Sequence, residues 1–219
     1  MVQRLQYITH TVPGYSPVDQ VKDVCRAGIR WIQLRLKNAS DYEILAVGKE
    51  IHHVCASYGA TFILNDKVHL VHEVGADGVH LGKEDMPADE ARKILGFNKI
   101  IGCTANTFGD IEDLTRNKID YLGVGPFRHT NTKEKLSPLL GVKGYSAIND
   151  LMRLNGIQIP IIAIGGIVRD DIDALMKTGI YGIAVSGAIH KNENPYEEAK
   201  KMSDQINNFE NYGTTYHSR

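Results

Sequence analysis

The chain has little of what disulfide-stapled or zinc-finger proteins depend on. Its 219 residues include three cysteines, Cys25, Cys55 and Cys103. An odd number at wide spacing fits neither a disulfide framework nor a metal knuckle, and it points to a reducing compartment. Excess charge is also missing. With 25 Lys and Arg against 26 Asp and Glu, no global field recruits nucleic acid or an anionic membrane surface, so any anion site must be local. No apolar run reaches the roughly eighteen residues that a membrane-spanning helix needs. Residues 1–13 carry the strand-like Leu5-Gln6-Tyr7-Ile8 where a signal peptide would have a basic region and an apolar run. HExxH, Rossmann and P-loop patterns, and aromatic-basic interleaving for nucleic acid, are absent too. The expectation is a cytoplasmic protein with no nucleic-acid or membrane partner.

What is present is an alternation of short apolar runs with longer amphipathic stretches, continued until the chain is used up. The runs cover residues 5–9, 31–35, 61–64, 78–81, 100–104, 121–124, 161–164 and 182–185. Between them the period changes from 2 to about 3.6, as in 41–57, where Ile44, Leu45, Val47, Ile51 and Val54 mark one helical face. Small or Gly-containing hinges precede several runs: Ala27-Gly28, Tyr58-Gly59-Ala60, Gly75-Ala76-Asp77-Gly78 and Thr178-Gly179. Ser40-Asp41, Pro87-Ala88-Asp89 and Asp170-Asp171 mark helix starts. Eight such units predict an α/β fold, a single (β/α)₈ TIM barrel over 1–206 with a polar, frayed tail at 207–219. An open doubly wound sheet is the alternative.

In a barrel, function sits in the loops after each strand's C-terminal end. Gln33, Arg35 and Lys37 alternate there, so they project to one face, and two cations at a barrel mouth require an anion or an internal layer of acids. Asn65-Asp66 and Glu84-Asp85 follow the next two runs. Adjacent strands lie about 4.8 Å apart, so Asp66 and Asp85 can meet on one hard cation such as Mg²⁺; for Asp66 the competing use is a helix cap. Thr104 follows the fifth run, with a cap near Thr107 competing for the local polar groups, and Cys103 reads as a small buried hydrophobe.

After Gly125-Pro126 comes a long, donor-rich connection, Phe127 to Lys133, with no helix expected before about Gly144. Its length suggests a lid whose Thr130, Thr132 and Lys133 close over a diphosphate. Gly165-Gly166 and Ser186-Gly187 stand where barrels often hold a phosphate. His80, alone in its strand, reads as a satisfied interior or rim residue.

Taken in order, these motifs resemble the thiamine phosphate synthase family over about residues 4–190. The match rests on Gln33-x-Arg35-x-Lys37, Leu64-Asn65-Asp66, the stretch from Gly75 to Gly82 with Asp85, and Gly123-Val124-Gly125-Pro126. It continues through Thr130-x-Thr132-Lys133, Ile164-Gly165-Gly166-Ile167 and Ser186-x-Ala188-Ile189. The resemblance implies that Gln33, Arg35, Lys37, Asn65, Thr104 and Lys133 hold a pyrimidine diphosphate and that Asp66 and Asp85 bind Mg²⁺. It also implies that Thr130, Thr132, Gly166, Val185 and Ser186 hold a thiazole phosphate, and that Arg35, Lys37, Thr104 and Lys133 serve catalysis directly. The implied reaction expels diphosphate and joins the two rings into thiamine phosphate.

Leu36, Lys83, Arg128-His129 and Lys135 depart from the family pattern. The rival readings are a thiazole tautomerase on the same barrel and a non-catalytic phosphate-binding sensor. Retention of the diphosphate and metal set favours the synthase. The oligomeric state stays open, a homo-oligomer included.

Overall fold

The computed structural model describes residues 2–129 and 138–210. In chain order the elements are β1 (Leu5–Ile8), α1 (Pro17–Arg26), β2 (Trp31–Leu34), α2 (Asp41–Tyr58), β3 (Thr61–Asn65), β4 (Gly78–Leu81), α3 (Ala88–Leu95) and β5 (Ile100–Ala105). There follow α4 (Phe108–Leu114), β6 (Tyr121–Val124), α5 (Gly141–Leu154), β7 (Ile161–Ile164), α6 (Ile172–Met176), β8 (Gly182–Val185), α7 (Gly187–His190) and α8 (Pro195–Glu210). Neighbouring strands pair in parallel in sequence order, and β8 pairs back onto β1, which closes the barrel and rules out the open sheet.

Strand periodicity divides the core in two. Leu5, Tyr7, Ile32, Leu34, Phe62 and Leu64 point outward and pack with Val21, Val24, Ile44 and Ile51 of the helices. Ile8, Trp31, Ile63, Tyr121, Ile162 and Ala184 fill a smaller cluster inside the barrel. Each large aliphatic or aromatic side chain buried this way contributes about 1.5–3 kcal/mol, so register errors that exchange the two faces are strongly opposed.

Local signals explain most boundaries. Ser40 and Glu43 form a reciprocal capping box at the start of α2, and Gly59 ends it in the left-handed conformation. Thr107 caps α4 in the same way with Asp110, the competing use foreseen for that loop. The third connection departs from the pattern: a single 3₁₀ turn at Val68–Leu70 replaces a full helix, so Gly75 follows a turn. Helix α5 begins at Gly141, slightly before the expected Gly144, and α8 runs to Glu210, past the expected boundary at 206. Residues 211–219 lie outside the described residues. Among the described residues no helix is long and apolar enough to cross a membrane. The three cysteines are free and buried, and burial pushes the Cys103 thiol up to about 12, as expected for a packing residue.

Candidate active site

All eight strands run in one direction, so every residue that follows a strand end is delivered to one rim. Gln33 is 2% exposed inside the barrel and donates from Nε2 to Asn65 Oδ1 at 2.7 Å, tying the ends of β2 and β3 together. Its Oε1 is buried without a hydrogen-bond partner. Arg35 is half-buried just beyond β2, and its backbone N–H donates to Thr9 Oγ1 at 3.0 Å. Burial lowers the Arg35 guanidinium, and Asp66 opposes that shift. β2 ends at Leu34, so the expected alternation reaches Arg35, while Lys37 lies exposed in the turn beside Asn38, whose φ is 63°.

Asp66 occupies the left-handed region at φ 64°, and its backbone N–H donates to His80 O at 2.9 Å. It does not cap the following turn, whose capping position is Lys67 and which has no side-chain cap. Its carboxyl group instead shares a hydrogen bond with Asp85. Asp85 is itself set by the β4 loop, with Gly82 N–H donating to its Oδ2 at 2.6 Å. Burial pushes the Asp66 carboxyl up to about 7, the Asp85 carboxyl adds to the shift, and Arg35 and Asn65 act the other way. The neighbouring Asp85 carboxyl thus disfavours the charged form of Asp66, and a cation placed between the two would remove that cost.

Around the rim, Thr104 is half-buried at the end of β5 and its Oγ1 lies 3.0 Å from His80 Nε2. Asn106 donates from Nδ2 to Gly125 O and thereby joins the β5 and β6 loops. Gly165 and Gly166 have φ of 103° and 71°, and an added Cβ on Gly165 would stand 2.8 Å from Pro126 Cα. Only glycine fits such a position without strain. Val185 packs its side chain in the outer core, so it can meet a ligand only through its backbone. Ser186 stands at the head of the one-turn α7. Thr130, Thr132 and Lys133 lie outside the described residues.

Several rim groups had no sequence signal. His10 and His190, from opposite ends of the chain, stack with ring centroids 5.1 Å apart and 4° between planes. Burial pushes His190 down to about 4, with His10 and Lys191 adding to the shift. Burial also lowers His10, helped by Arg35, Lys191 and Lys37. The surroundings of His10 are therefore cationic, set by Arg35, Lys37 and Lys191, in a chain of near-zero net charge. Arg128, noted only as a departure, donates to Gly166 O at 2.9 Å and pairs with Asp171 at 2.6 Å, so it fastens the segment after β6 to the β7 loop.

A family model for thiamine monophosphate synthase matches residues 5–189. The chain is 49% identical over 210 residues to the thiamine-phosphate synthase of Flavobacterium johnsoniae, covering 94% of this chain and 96% of that one. It is also 49% identical over 198 residues to the Bacteroides fragilis protein of the same name, covering 90% and 97%. Among solved structures, a thiamine phosphate pyrophosphorylase from Pyrococcus furiosus matches with a TM-score of 0.82 at 30% identity, over 94% of this chain and 96% of that one. Alignments that span nearly the whole of both partners, on a barrel with this rim, place the chain in the thiamine monophosphate synthase family.

Proposed function

We propose that the chain joins hydroxymethylpyrimidine diphosphate to hydroxyethylthiazole phosphate, yielding thiamine phosphate and diphosphate, in the cytoplasm. The meeting of Asp66 and Asp85 beside Arg35 carries the reading. The bond between the pyrimidine methylene and the diphosphate oxygen breaks, and its electron pair leaves with diphosphate. The thiazole nitrogen then supplies the pair for the new C–N bond. No enzyme nucleophile is required, and the work falls to positioning and charge.

The acid pair fits Mg²⁺. Its donors are hard oxygens, and a cation between them would offset the cost that raises the Asp66 carboxyl. Two protein carboxylates with the remaining positions left to water and phosphate is the arrangement Mg²⁺ usually takes. Bound there, the ion would supply positive charge to the leaving diphosphate. Arg35 and Lys37 add fixed positive charge on the same side, and Thr104 adds a hydroxyl. The buried, unpartnered Gln33 Oε1 suits an amino donor such as the one on the pyrimidine ring. Gly166, Ser186 and the backbone of Val185 form the thiazole phosphate side, and Thr130, Thr132 and Lys133 are assigned to closure over both anions.

Purified protein with Mg²⁺ and both substrates should release diphosphate and form thiamine phosphate, and a chelator should abolish turnover. Thiazole isomerisation without coupling would move the chain to the tautomerase reading. Binding of the phosphates without turnover would make it a sensor.

A further inference from the structure

The barrel interior holds three polar side chains, Gln6, Tyr121 and His80, that the proposed chemistry leaves unused and that lead to Thr104. Gln6, 2% exposed, donates from Nε2 toward Tyr121 Oη at 3.5 Å. Tyr121 is fully buried, with Oη 3.0 Å from His80 Nδ1, and His80 Nε2 lies 3.0 Å from Thr104 Oγ1. The barrel wall is cut to fit both rings. A Cβ on Gly102 would stand 2.0 Å from Tyr121 Cζ, and one on Gly123 would stand 2.8 Å from His80 Cε1. Trp31 meets the Tyr121 ring edge-on at 4.8 Å and 76°.

Donor bookkeeping gives the chain a direction. Burial raises the Tyr121 phenol, so it keeps its proton. Tyr121 Oη accepts from Gln6, and the O–H must then find an acceptor in a dry interior. His80 Nδ1 is the acceptor at hydrogen-bond distance. That assignment puts the imidazole proton on Nε2, which donates to Thr104 Oγ1. The threonine oxygen is thereby occupied as an acceptor, and its own O–H is left to donate.

We propose that His80 is a positioning residue, held by Tyr121 as its Nε2–H tautomer, which turns the Thr104 hydroxyl into a dedicated donor toward the departing diphosphate. The idea rests on the assignment of Thr104 to the diphosphate side. A one-way chain of buried hydrogen bonds polarises each successive member, so the last donor is stronger than an isolated threonine. It also fixes the rotamer, which a hydroxyl at a wet rim would otherwise lack.

The test combines a double-mutant cycle with a spectroscopic readout. His80→Leu should lower kcat/KM for the pyrimidine diphosphate about tenfold, the factor expected for one hydrogen bond. In a Thr104→Val background the same change should cost less than about twofold, because its target is gone. His80→Gln, which keeps an N–H within reach of Thr104, should restore most of the loss. The affinity for inorganic diphosphate with Mg²⁺ should follow the same pattern, which separates the idea from the coupling reaction. If wild type binds diphosphate with this pattern but does not join the two rings, the function reading fails and the His80 role stands. Imidazole ¹⁵N spectra of the wild-type protein should show the Nε2–H tautomer, and Tyr121→Phe should disturb it. Additive losses in the cycle, or an Nδ1–H tautomer in wild type, would overturn the proposal even if the variants proved unstable.

Discussion

Replacing Asp66 by Asn should stabilise the metal-free protein at alkaline pH while removing its activity. Asn is well accepted at φ 64°, so the change tests charge with little backbone strain. Burial and Asp85 raise the carboxyl from 3.8 to about 7. Taken at full burial, that shift corresponds to roughly 4 kcal/mol, and for a half-buried group solvent screening reduces it to about 1–2 kcal/mol. The sign follows from the raised value. The fold prefers the protonated acid, so the stabilising contribution is whole below about 3.8 and is lost as pH climbs through about 7. The Asn variant has no such loss.

In chelator, the melting temperature of Asp66→Asn minus that of wild type should grow by about 2–8 °C between acidic and mildly alkaline buffer, at 2–4 °C per kcal/mol for a chain of this size. Saturating Mg²⁺ should then raise wild type, by about 2.7 kcal/mol at a hundredfold excess over Kd, and leave the variant unmoved. Scanning calorimetry in both buffers gives the answer. Parallel pH profiles for the two proteins, or equal Mg²⁺ effects, would refute the reasoning.

Arg35→Ala should raise KM for the pyrimidine diphosphate and lower kcat/KM by about a hundredfold or more, read by steady-state kinetics, because a half-buried cation facing an anion is lost. Gly165→Ala should cost about 2 kcal/mol or more in denaturant titration, since the added Cβ meets Pro126 in a left-handed conformation. Arg128→Ala should change stability by less than about 1 kcal/mol, as its pair with Asp171 is partly exposed, yet raise KM for the thiazole phosphate through a loosened β7 loop.

Strand positions were readable because a closed parallel barrel buries both faces of every strand, which leaves short apolar runs bounded by polar turns. The runs at 78–81, 121–124, 161–164 and 182–185 coincide with strands, and the capping residues Ser40 and Thr107 follow from local chemistry. Thr9 was read into β1 and falls outside it, although it stays in the ladder through its N–H to Gln33 O at 3.0 Å. The missing third helix was not readable, because the buried Val68, Leu70, Val71 and Val74 stand at spacings of three and four that suit a helix and a tight turn equally. Convergence of Asp66 and Asp85 followed from strand adjacency alone. Contacts between distant segments did not: Gln6 with Tyr121, His10 with His190 and Arg128 with Asp171 depend on barrel closure and loop course, which no local pattern encodes.

The central claim is that one divalent ion, held by Asp66 and Asp85, meets the diphosphate at the cationic rim. A crystal grown with Mn²⁺ and inorganic diphosphate tests it most directly by anomalous scattering. The account predicts a peak bonded to both carboxylates, with the diphosphate bridging toward Arg35 and Thr104. A peak elsewhere, or diphosphate bound at the rim with no ion between the two acids, would contradict it.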